Sequence, residues 1–149
     1  MHLSRSVLVS LSMTICTWLC VPSAMADEEM GSRTGKIHRP IPLNGATLQE
    51  ARRAILQGMF YNKGVKLTYE GETPNSVTAR WDYRGDIVVF DVHYDEKQIQ
   101  VLYKDASKGL ECQELKAGIC HDGTHGYYNY IPNFTKSIRN QLARIVRAK

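Results

Sequence analysis

Cys112, Cys120, His121, Asp122 and His125 make the densest run of reactive side chains in this 149-residue chain. Two thiolates and two imidazoles are a donor set for tetrahedral zinc, and a cysteine beside a histidine is the pairing that activates a thiol nucleophile. The spacing favours neither chemistry. The cysteines stand eight positions apart, and no C-x-x-C or H-E-x-x-H occurs. Sequence neighbours on a loop such as Cys120 and His121 rarely hold the geometry that thiolate activation requires. In an oxidising compartment the pair reads first as a Cys112–Cys120 disulfide, with a metal or thiol site at Cys120, His121 and His125 behind it. A bridge over so short a loop contributes about 2.5 kcal/mol of chain entropy, enough to trim a loop but not to hold the whole fold.

A second chemistry is electrostatic. Lys136, Arg139, Arg144 and Arg147 fall within about a third of the circumference of a helix, and no acidic residue occurs in positions 123–149. Such a face could take lipid headgroups or another polyanion, although cations near a helix C-terminus also complement its dipole. The formal charge of the whole chain is only +4, which does not call for a nucleic-acid partner. Nucleophile elbow, phosphate-binding glycine loop and calcium-loop patterns are all missing, so no catalytic residue and no cofactor is expected.

The compartment follows from the first 26 residues. Arg5 precedes an apolar run over 7–21, and Ala24-Met25-Ala26 has the small-x-small form of a signal-peptidase site. Residues 1–26 therefore read as a signal peptide, and the protein as periplasmic or secreted with no membrane-spanning helix after cleavage. An uncleaved anchor is the competing reading of the same run. Lipid attachment at Cys16 or Cys20 is disfavoured by the large Ile15 and Leu19 before them.

The elements that must position these groups are legible from periodicity. Residues 27–46 carry Gly31, Gly35, Pro40, Pro42 and Gly45 without an apolar period and read as a flexible leader. The domain is expected over 47–149, a single-domain length. Thr47 and Glu50 form a capping-box pattern, followed by Leu48, Ala51, Ala54, Ile55, Gly58 and Met59 on one helical side. Four segments of period two follow, at 65–70, 76–83, 87–94 and 98–104, separated by turn residues.

Hairpin arithmetic then sets the register. A turn at Arg84-Gly85 opposes Trp81 to Val88, Ala79 to Phe90 and Val77 to Val92. A turn at Glu96-Lys97 opposes Tyr94 to Ile99, Val92 to Val101 and Phe90 to Tyr103. The connection through Glu72, Thr73 and Pro74 sets Tyr69 against Val77 and Leu67 against Ala79. All three put apolar on apolar. A last helix from near Asn133 buries Phe134, Ile138, Leu142, Ile145 and Val146. The predicted fold is α+β: a four-stranded antiparallel meander with an N-terminal and a C-terminal helix on one face, α-β-β-β-β-α. The opposite face would carry Ile87, Val89 and Leu102 among Thr78, Arg80, Asp91, His93 and Gln100, a surface suited to a protein partner. Tyr127-Tyr128-Asn129-Tyr130 falls in the loop before the last helix, as a packing or recognition segment.

Several short stretches together resemble a known pattern. They are Ala54-Ile55 before Asn62-Lys63-Gly64, Val77-Thr78-Ala79-Arg80, Val92-His93-Tyr94, Tyr103 with Ser107 and Leu110, and Ile131, Asn133, Phe134 and Leu142. In these the chain is similar to a family of small, uncharacterised bacterial envelope proteins, many labelled as lipoproteins. It departs from that family at Pro132, where histidine is usual, and in its longer 112–130 loop. The resemblance implies the α-β-β-β-β-α order and an envelope location, and it transfers no functional residue. The functional expectation is an exported, non-enzymatic binding or accessory protein of the bacterial envelope. The alternatives are a polyanion or membrane-surface binder and, behind it, a metal or thiol enzyme.

Overall fold

A computed structural model describes residues 38–62, 66–121 and 125–149, with the side chains of 125–130 outside the description. Helix α1 (Leu48–Phe60) begins as the capping box requires. Glu50 N donates to Thr47 Oγ1 at 3.3 Å, and Thr47 N donates to a Glu50 carboxylate oxygen at 2.7 Å. Its buried side is Ala51, Ala54, Ile55, Gly58 and Met59; Leu48, expected there, is exposed in the first turn.

The meander is β2 (Leu67–Thr73), β3 (Ser76–Tyr83), β4 (Asp86–Tyr94) and β5 (Gln98–Ala106), each antiparallel to the next. Registers β3–β4 and β4–β5 are those the hairpins predicted, including Trp81 opposite Val88 and Val92 opposite Val101. The β2–β3 register differs by two residues. Tyr69 opposes Ala79 and Leu67 opposes Trp81, because the turn is the two-residue Pro74-Asn75 and a bulge at Glu70-Gly71 absorbs an extra residue. A two-residue slip preserves the face of every side chain before the bulge. Beyond the bulge Glu72 reaches back to α1, where Arg52 donates to its carboxylate through Nε at 2.7 Å and Nη2 at 2.9 Å.

The expected leader, 27–46, is corrected in its described part. Ile41–Pro42 form a short strand, β1, on the outer edge of β5, with Ile41 opposite Ile99. Leu43 N donates to Lys97 O at 2.9 Å, and Ile41 and Leu43 are each only 2% exposed. Two prolines hid this strand. Pro42 has no N–H to lose at an edge, and an isolated pair of apolar side chains shows no period. The signal segment and the leader up to residue 37 lie outside the described residues.

A second small sheet was also unanticipated: β6 (Leu115–Lys116) and β7 (Ile119–Cys120) form a hairpin around Ala117-Gly118. The last helix, α2 (His125–Arg147), starts eight residues before the expected Asn133 and passes through Pro132, so the tyrosine run belongs to its first turns. It packs against α1 in the opposite direction. Phe134 meets Phe90 of the sheet with ring centroids 6.2 Å apart, and Ile138 approaches Gly58. One apolar cluster joins both helices, the sheet's inner face and β1. Among the described residues no helix is long and apolar enough to cross a membrane.

Candidate functional site

Cys112 and Cys120 are joined in a disulfide with Cα atoms 5.7 Å apart. With both sulfurs bonded, neither is available as a thiolate ligand or nucleophile. Cys120 is fully buried in the core cluster, while Cys112 is half-buried and its N–H donates to the Tyr103 hydroxyl at 3.3 Å. The bridge ties the β7 end of the hairpin to position 112, and the hairpin itself meets β5 where Tyr103 N donates to Gly118 O at 2.8 Å. Further along the same edge, His38 Nδ1–H donates to Val101 O at 2.8 Å. The outer edge of β5 is thus covered in turn by β1, an imidazole and the disulfide-held hairpin, which blocks pairing with another chain. His38 is 3% exposed, and burial pushes its pKa below the ordinary value, with the nearby His121 charge adding to the shift. The structure puts His121 beside this edge; Asp122 and the His125 side chain lie outside the described residues. Among the described residues no group of three or more His, Cys, Asp or Glu could hold a metal ion.

Ile87, Val89 and Leu102 do share the sheet's outer face, since Val89 lies opposite Arg80, Ile87 opposite Asp82 and Leu102 opposite Asp91. All three are half-buried. Leu102 lies under the Gly118 turn: a Cβ on Gly118 would sit 3.2 Å from two Leu102 carbons. The charges around this patch pair with one another. Arg80 bridges Asp82 at 3.1 Å and Glu70 at 3.8 Å, and Asp91 accepts from Lys104 at 3.0 Å and from Thr78 at 2.5 Å. Exposed pairs of this kind are worth little in stability, but they leave neither cation of this face unpaired.

The basic side of α2 is different. Lys136, Arg139, Arg144 and Arg147 are all exposed, and none makes an ion pair or hydrogen bond among the described residues. By contrast Lys149, past the end of α2, is tied to Glu50 at 2.8 Å and to Gly45 O at 3.1 Å. That ion pair and the capping N–H hold the Glu50 carboxyl below its ordinary pKa.

The four cations divide between two grooves. Arg139 and Arg147 flank an apolar one between α2 and the β1 segment, floored by Ile41, Leu43, Leu142 and Val146. Lys136 and Arg144 flank a polar one against the end of α1, with Tyr61, Asn62, Asn140 and Gln141. Tyr61, Asn62 and Gln141 were not singled out by sequence. The only hint was that Asn133, Ser137, Asn140 and Arg144 recur at helical spacing beside the apolar stripe.

Comparison with family models, with curated proteins and with solved structures finds no match to this chain.

Proposed function

We propose that this protein is exported and acts in the bacterial envelope as a non-enzymatic binding protein, with the basic face of α2 as its contact surface for an anionic partner. The observation that carries this reading is the set of exposed, unpaired cations at Lys136, Arg139, Arg144 and Arg147, on a chain whose sheet-face charges are internally paired. Unpaired cations on one helix face leave a positive potential that attracts and orients anions. The disulfide and the signal-like N-terminus support an extracytoplasmic setting.

Two measurements test the reading. The intact mass of the protein from cells should correspond to a chain beginning at Asp27. Binding to polyphosphate and to phosphatidylglycerol vesicles should weaken steeply with added salt, and the fourfold Lys136→Glu, Arg139→Glu, Arg144→Glu, Arg147→Glu protein should lose it. Salt-independent binding, or equal binding by the reversed protein, refutes the assignment of the surface.

A further inference from the structure

The polar groove between the end of α1 and α2 contains more than positive charge. Its volume of about 380 Å³ is in the range of small-molecule sites. Tyr61, 57% exposed, supplies an aromatic wall, and its ring stacks edge-on with Phe60, centroids 4.9 Å apart. Lys136 and Arg144 supply unpaired cations, and Asn62, Asn140 and Gln141 supply amides.

One of these amides is unusual. Asn62 Nδ2 is buried and has no hydrogen-bond partner. Buried polar groups in native proteins are nearly always paired, because an unmade bond leaves the desolvation penalty uncompensated. Asn62 and Gln141 both border a groove that an outside molecule can enter.

The amide chemistry narrows what that molecule is. Each amide offers both donors and an acceptor. A bare polyanion is an acceptor only and leaves the amide oxygens unanswered. Hydroxyl groups donate and accept, so a polyol matches the amides; a ring with one apolar face matches Tyr61; and a carboxylate or phosphate matches Lys136 with Arg144. We propose that this groove binds an anionic sugar, a uronate or a sugar phosphate. The inference rests on the reading of α2 as an anion-binding face and narrows it to one flank and one ligand chemistry. A lipid would instead seek the apolar groove beside Arg139 and Arg147.

Calorimetric titration of the full chain with oligogalacturonate, glucose 6-phosphate, neutral galactose oligomers, polyphosphate and phosphatidylglycerol vesicles tests it. At least one acidic sugar should bind, with the neutral oligomer at least about tenfold weaker. Tyr61→Ala and Asn140→Ala, both at the surface, should each weaken sugar binding by about tenfold, the loss expected for one contact. Lys136→Glu with Arg144→Glu should abolish it, and Arg139→Glu with Arg147→Glu should leave it within about twofold by the same scale. If polyphosphate or vesicles bind and acidic sugars do not, or if Tyr61→Ala and Asn140→Ala leave sugar affinity unchanged, the inference falls while the anion-binding face stands. If none of the anions binds, both fall.

Discussion

Gly58 lies inside α1, where glycine is about 1 kcal/mol worse than alanine, so Gly58→Ala would stabilise an isolated helix. In the folded protein the opposite is expected. A Cβ built at position 58 would lie 2.8 Å from Ile138 Cγ1 and 3.0 Å from both Cα and N of Ile138. Carbon pairs are comfortable at roughly 3.5–4.0 Å. The side-chain atom could rotate away, but the backbone atoms cannot, so α1 and α2 must separate and loosen the packing of Ile55, Met59 and Ile138 around the crossing. Overpacking of this kind costs typically about 1–3 kcal/mol. Set against the helical gain, the net loss is up to about 2 kcal/mol, or up to roughly 8 °C in Tm for a domain of this size.

Thermal and urea unfolding of wild type, Gly58→Ala, Ile138→Ala and the double variant would measure it. Ile138→Ala alone should cost about 2–5 kcal/mol. The two effects should be less than additive by at least about 0.5 kcal/mol, because removing Cγ1 relieves part of the conflict. A Gly58→Ala protein more stable than wild type, or strict additivity, would refute the close helix crossing.

Three further outcomes are expected. Because burial lowers the His38 pKa, the unfolded chain holds the proton more tightly than the native one. That part of the stability is complete above the ordinary imidazole value of about 6.5 and is lost as pH falls through it towards the lowered native value. Urea midpoints between pH 7.5 and 5 should therefore drop, and His38→Phe should flatten this window. An equal drop in the variant would assign the effect elsewhere. Cys112→Ala with Cys120→Ala should lower stability by about 2.5 kcal/mol and speed hydrogen exchange at the Tyr103 amide, which the hairpin carbonyl of Gly118 protects. An unchanged Tyr103 exchange rate would show that the bridge does not hold the hairpin to the strand. Leu102→Lys should destabilise the protein more than Val89→Lys, because the atoms nearest the Gly118 turn are those of Leu102. Equal unfolding midpoints would mean the turn does not rest on Leu102.

Local rules determined much of this molecule. The Thr47–Glu50 cap, the Arg84-Gly85 and Glu96-Lys97 turns, and the alternation through Trp81, Phe90 and Val101 are each set by residues close in the chain. The β3–β4 and β4–β5 registers and the α+β order follow from them, whereas the β2–β3 register depends on a bulge they do not set. The Cys112–Cys120 pairing was legible for the same reason. What sequence could not supply was whatever depends on residues far apart in the chain. Ile41 becomes a strand only because β5 leaves an edge unpaired. The β6–β7 hairpin turns on Ala117-Gly118 with Ala117 at φ +49°, a position alanine does not advertise. The amides of Asn62 and Gln141 look unremarkable in a list of residues, one at the end of a helix and one on an apolar stripe. They come to line one groove, with Asn62 Nδ2 buried and unpaired, only when α1 and α2 cross at Gly58. Periodicity records which side of an element avoids water; the packing of one element on another decides which polar groups are caught without a partner.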